Sequence, residues 1–110
     1  MFLRSEKTEE RVVIWGYDEP EEPAYVLRVE LLLKDKVARA EGLIARRLLK
    51  RREIAELLGY LEGLASHMGA QELEVFVDPH YQQLYERGGF KVSGETDVAG
   101  HRLTIMCKEL

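Results

Sequence analysis

The stretch Ile54–Val92, "IAELLGYLEGLASHMGAQELEVFVDPHYQQLYERGGFKV", changes its hydrophobic period twice, and those changes decide the fold. Ile54, Leu57, Leu58, Leu61, Leu64, Ala65 and Met68 recur at helical spacing and form one apolar stripe. Gly69 stands where a helix ends on a left-handed residue. The spacing therefore predicts a helix from near Arg52 to Met68. "ELEVFV", Glu72–Val77, is a short, mostly apolar strand. Asp78 suits an N-cap and Pro79 the first helical position, so a second helix runs to about Arg87 and stops at Gly88-Gly89. "FKVSG" begins another strand. Gly59 and Gly63 sit inside the long helix, where each costs about 1 kcal/mol against alanine. They lie four apart on one side, which predicts the close approach of a neighbouring strand.

Before this stretch the period is two. "RVVIWGY", Arg11–Tyr17, reads as a strand. "DEPEEP" is an acidic, proline-bearing connector. Tyr25, Leu27, Val29, Leu31 and Leu33 then alternate with Val26, Arg28, Glu30 and Leu32. Lys34-Asp35-Lys36 is the turn of a hairpin, and the return strand runs from Val37 to about Ala45. Residues 1–10 are polar and are expected to be a flexible N-terminus. After the stretch, "ETDVAG" reads as a turn and "HRLTIMCKEL" as a final strand. The order is β-β-β-α-β-α-β-β over a single domain, 1–110. This is an α+β (α/β-like) class with a mixed, mostly antiparallel sheet and helices packed on it. The strand near Leu43 and the strand Leu73–Val77 are expected to be parallel neighbours joined by the long helix.

Composition narrows the function. The 110 residues carry 16 basic and 20 acidic side chains, a net charge of −4, which gives no electrostatic reason to expect nucleic acid. No stretch is apolar for long enough to span a membrane, and "MFLRSEKTEERVV" lacks the apolar core of a signal peptide. A lone cysteine, Cys107, excludes an internal disulfide, and a reducing cytoplasm is expected. His67, His80 and His101 show no ligand spacing with Cys107, so no metal site is expected. A charged fraction of 33% rich in Arg and Glu leans towards a heat-adapted source.

Helix, glycine, strand, capped short helix and the closure Tyr85-Glu86-Arg87-Gly88-Gly89-Phe90, of the form Y-x-x-x-G-F, together resemble the C-terminal half of the GNAT (GCN5-related N-acetyltransferase) superfamily. The resemblance covers about residues 36–108. Asp78 stands where Asn is common, and Gly69-Ala70 matches the small pair that ends the family's long helix. The resemblance implies that the strand holding Ile44 splays from "LEVFV" and that acetyl-CoA lies in the gap. Its pyrophosphate would sit at the N-terminus of the long helix, where N–H groups and the dipole favour an anion. The implied cofactor-binding residues are Ile44, Lys50, Arg51, Arg52, Glu53 and Ile54. Tyr85 takes the place of the tyrosine that protonates the departing thiolate.

Two departures stand beside these matches. The family's phosphate turn, Gln/Arg-x-x-Gly-x-Gly/Ala, falls on Leu49, Arg52 and Ile54, so both glycines are missing and the side chains would crowd the phosphates. The family also has two helices after its first strand that help form the acceptor site, and the chain before Ala24 is too short for both. Either they have been lost, or another chain completes the site, a homodimer being one form.

"RRLLKRR", Arg46–Arg52, carries five basic residues just before the long helix. It reads either as an anion site for phosphates or as a solvated patch. Glu30 and Glu41 are candidate bases for an amine, though alternation places Glu41 on the face opposite Ile44 and cross-strand pairing with Arg28 or Arg39 is the favoured use for it. Two functions follow. One is N-acyl transfer from acetyl-CoA to a small-molecule or protein amine. The other is a non-catalytic binding or assembly module that has lost the cofactor turn.

Overall fold

The computed structural model describes residues 1–8 and 10–110. Its elements are β1 (Phe2–Lys7), β2 (Arg11–Tyr17), β3 (Leu27–Lys34), β4 (Val37–Ala45), α1 (Arg51–His67), β5 (Glu72–Val77), α2 (Gln82–Arg87), β6 (Lys91–Val98) and β7 (His101–Glu109). They build one seven-stranded sheet in the order β1-β2-β3-β4-β5-β7-β6. Every neighbouring pair is antiparallel except β4–β5, the parallel pair that α1 connects.

Alternation sorts the strands onto two faces. Ile14, Leu27, Val29, Leu31, Leu73 and Met106 point to one face and are buried there beneath α1. The α1 stripe supplies Ile54, Leu57, Leu58, Leu61 and Ala65 to the same core, with Leu64 half-buried at its border. Leu84, Tyr85 and Phe90 pack on that core from α2 and its exit. Both helices thus lie on one side. Two polar contacts fasten α1 across the sheet. The Tyr60 hydroxyl donates to Ser5 Oγ at 3.0 Å, and Glu62 pairs with Lys108.

Three expectations need correction. Residues 1–10 are not simply a flexible tail: Phe2–Lys7 form β1 and pair along β2 from Phe2↔Tyr17 to Lys7↔Val12. The strand was hidden because only Phe2 and Leu3 in it are apolar, and an edge strand over a helix needs little more. "ETDVAG" is a turn only at Ala99-Gly100, both at positive φ, and Glu95–Val98 belong to β6. Polar residues suit this edge strand because both of its faces are open to water. Finally, Gly59 and Gly63 approach no strand. They face solvent, with nothing within 4 Å of a Cβ built on either.

Because those two glycines only loosen the unfolded-to-helix balance, Gly59→Ala and Gly63→Ala should each raise stability by about 0.5–1 kcal/mol in chemical denaturation. Leu61→Ala should lower it by about 2–5 kcal/mol. A loss on either glycine replacement would show that the outer face of α1 is in contact with something.

Candidate functional site

The site begins with an irregularity in β4. Opposite β3 the register runs Leu31↔Ala40, Glu30↔Glu41 and then Arg28↔Ile44, so β4 carries one extra residue. Gly42, at φ +63, sits in this bulge and adopts a backbone that residues with a Cβ resist. The bulge shifts the alternation, so Glu41 and Ile44 share a face, against the strict alternation expected from the sequence. It also bends the strand. β4 and β5 pair only at Val37↔Glu72, Ala38↔Leu73 and Arg39↔Glu74, and beyond that rung the strands part.

The divergence opens a cleft of ≈ 690 Å³. Ala40, Leu43 and Ala45 form one wall and Phe76, Val77 and Asp78 the other. Ile54 and Leu57 of α1, Tyr85 of α2 and Leu103 of β7 complete it. Arg39 closes the vertex: its Nε donates to Glu74 at 2.7 Å, Glu41 lies 3.5 Å from its Nη1, and its guanidinium sits over Phe76. Glu41 therefore pairs with Arg39, one of the two partners foreseen for it, but along β4 and not across strands, and it also lines the cleft. Glu30 does not. It is held by Arg11 at 3.2 Å and Arg28 at 3.0 Å.

At the start of α1 the five basic residues divide. Arg47 is committed. Its guanidinium donates to Glu53 at 2.7 and 2.9 Å and to Asp18 at 2.6 Å. Glu53 also accepts from the Lys50 N–H at 2.9 Å, the N3 half of a capping box. These hydrogen bonds, Arg47's first, hold the Glu53 carboxyl at about 2, and Glu53 is buried at 6% exposure. Arg46 stacks on Tyr25 at 4.1 Å. Among the described residues, Lys50, Arg51 and Arg52 make no ion pair, and all three are exposed. The first helical bond is Ile54 N–H to Lys50 C=O, so the N–H groups of Arg51, Arg52 and Glu53 have no partner inside the helix. Ile54, foreseen as crowding this turn, is turned inward to the core.

Of the residues singled out in the sequence, Glu41, Ile54 and Tyr85 line the cleft, and Lys50, Arg51, Arg52 and Glu53 do not. Ile44 does not; the bulge gives its place to Leu43 and Ala45. Tyr85 stacks edge-on against Phe90 at 5.9 Å, and burial, with Tyr81 adding to it, raises its phenol above the ordinary value. It holds its proton at neutral pH. Asp18 belongs to the stretch read as an acidic connector, and its link to Arg47 spans a gap in sequence that no local pattern announces.

No family model and no curated protein matches the sequence. Solved structures do. One is a Lactobacillus plantarum protein classed as an N-acetyltransferase, with TM-score 0.71 and 25% identity over 91% of this chain and 68% of that one. An acetyltransferase from Bacillus cereus gives 0.71 at 18% identity, over 92% and 74%. The chain has the GNAT fold. The PaiA N-acetyltransferase from Thermoplasma acidophilum, solved in complex with coenzyme A, gives 0.67 at 20% identity and covers 92% of this chain and 62% of its own. β1 ends at Lys7 and β2 begins at Arg11, and among the described residues no helix lies between them or covers the face opposite α1.

Glu53 makes the helix start sensitive to acid. Its folded pKa, about 2, lies below the usual 4.5, so its contribution is complete above pH 4.5 and is lost as pH falls towards 2. Thermal melts should show Glu53→Gln well below the parent at pH 7, with the gap closing near pH 2. An equal gap at both values would mean that charge is not what Glu53 supplies.

Proposed function

We propose that this chain is an N-acyltransferase that moves an acyl group from acyl-CoA, acetyl-CoA in the simplest case, to an amine. The observation that carries this reading is the wedge between β4 and β5. Its walls are mostly apolar, it ends near a helix start where Lys50, Arg51 and Arg52 are exposed, and a protonated tyrosine lines it. A pantetheine arm needs such a slot, and its phosphates need such an end.

In this reading the arm runs between Leu43–Ala45 and Phe76–Val77. Main-chain N–H groups of Arg51 and Arg52 meet the pyrophosphate, and the side chains of Lys50, Arg51 and Arg52 add charge. The amine nitrogen attacks the thioester carbonyl carbon, the N–C bond forms and the C–S bond breaks. Tyr85 gives its proton to the sulfur, and the proton that the amine sheds restores Tyr85 through water, with Glu41, which lines the cleft, as a carboxylate acceptor. No covalent enzyme intermediate is needed. The acceptor is a small-molecule or protein amine.

A second reading, a binding module without catalysis, is favoured by one feature. Glu53 brings a carboxylate to the helix start, beside where a phosphate would lie.

Calorimetry with acetyl-CoA separates the two. Binding should be detectable at low salt, weaken as salt screens the exposed cations, and fall at least about tenfold in the Arg51→Ala, Arg52→Ala double variant. Tyr85→Phe should bind within about twofold of the parent yet transfer about 10²-fold more slowly. Absence of acetyl-CoA binding at low salt and high protein concentration would leave the module reading standing.

A further inference from the structure

The cleft passes through the sheet, and its two ends differ in chemistry. On the helix side it reaches Arg47, Leu48 and Leu49, which the exposed Lys50, Arg51 and Arg52 follow in sequence. On the other side it reaches Phe76, Thr96, Val98 and Leu103. These belong to the open face. Phe76 pairs with Ile105, and Thr96 with Leu103, so side chains of β5, β7 and β6 adjoin there without a covering helix. Val98 is 52% exposed and Leu43, on the facing wall, 53%. Exposed apolar groups scattered singly need no explanation, but a contiguous set at the end of a deep apolar slot does.

We propose that the acyl group carried is a medium-length aliphatic chain, about six to ten carbons, lying on Phe76, Leu103 and Val98. The proposal rests on the N-acyltransferase reading and names its donor. Its ground is the layout: cations beside one mouth, a mostly apolar passage, and a mostly apolar landing at the other. That is the pattern of an amphiphile with an anionic head and an aliphatic tail. An acetyl group offers one methyl to this landing and leaves Leu103 and Val98 as wet as they are without ligand. A longer chain covers them, and each methylene it buries strengthens binding.

The test is calorimetry with CoA, acetyl-CoA and octanoyl-CoA on the full chain. Octanoyl-CoA should bind at least about tenfold tighter than acetyl-CoA, because several added methylenes leave water. Val98→Asp, at an exposed edge position where the fold is not at risk, should bring the ratio of the two affinities to about one, and Leu103→Ser should lower it too. Equal affinities in the parent would overturn the proposal and leave acetyl transfer intact. A ratio that survives in both variants would overturn it as well, because the chain would then be lying elsewhere, as it would if the apolar landing received the acceptor or a partner segment. Failure of all three compounds to bind would remove the acyltransferase reading itself and the proposal with it.

Discussion

One extra residue in β4 governs the site. A strand flanked on both sides cannot keep both ladders once a residue is added on one of them. The bulge at Gly42 preserves pairing with β3 by bending β4, and the parallel ladder to β5 is what gives way. The cost is a row of β4 and β5 backbone groups left without strand partners, and such groups need a ligand or water. The gain is a slot whose walls are rigid because each is still laddered on its outer side. Arg39 and Glu74 stand at the last common rung and fix where the divergence begins.

The second constraint is that the sheet is covered on one side only. All the large fully buried side chains point towards the helices. The other face is held by ion pairs, with Arg11 and Arg28 on Glu30 and Arg39 on Glu74, between which half-buried Trp15, Leu32 and Phe76 lie. Exposed pairs of this kind contribute little stability each. They do neutralise charges set directly opposite one another, as Glu30 and Glu41 are. The result is a face that tolerates water and still presents apolar ground at the cleft's far mouth.

Much of this was legible from local patterns. The α1 stripe, the Asp78 cap with Pro79, and the left-handed stops at Gly69 and Gly89 are short-range signals, and each lies where its chemistry places it. Strand pairing of β4 with β5 followed from the helix between them. What escaped was non-local or weakly apolar. β1 shows little hydrophobic pattern, and the polar end of β6 looks like a turn. The bulge hid in "AEGLIA", where Gly42 was the available clue, and with it went the exchange of Ile44 for Leu43 and Ala45. Arg47 looked like one of five equivalent cations, yet Asp18, distant in sequence, takes it out of the set. Gly59 and Gly63 misled because helix glycines suggest close packing, while here their side of α1 faces water.

In the proposed function a CoA thioester lies in the wedge opened by the Gly42 bulge. Amide chemical shifts recorded while acetyl-CoA is titrated in test it most directly. The largest changes should fall at Gly42–Ala45, Phe76–Asp78 and Arg51–Ile54, from the two walls and the helix start together, with β1 and β2 unaffected. Changes confined to the helix start, or spread over the open face while both walls stay silent, would contradict it.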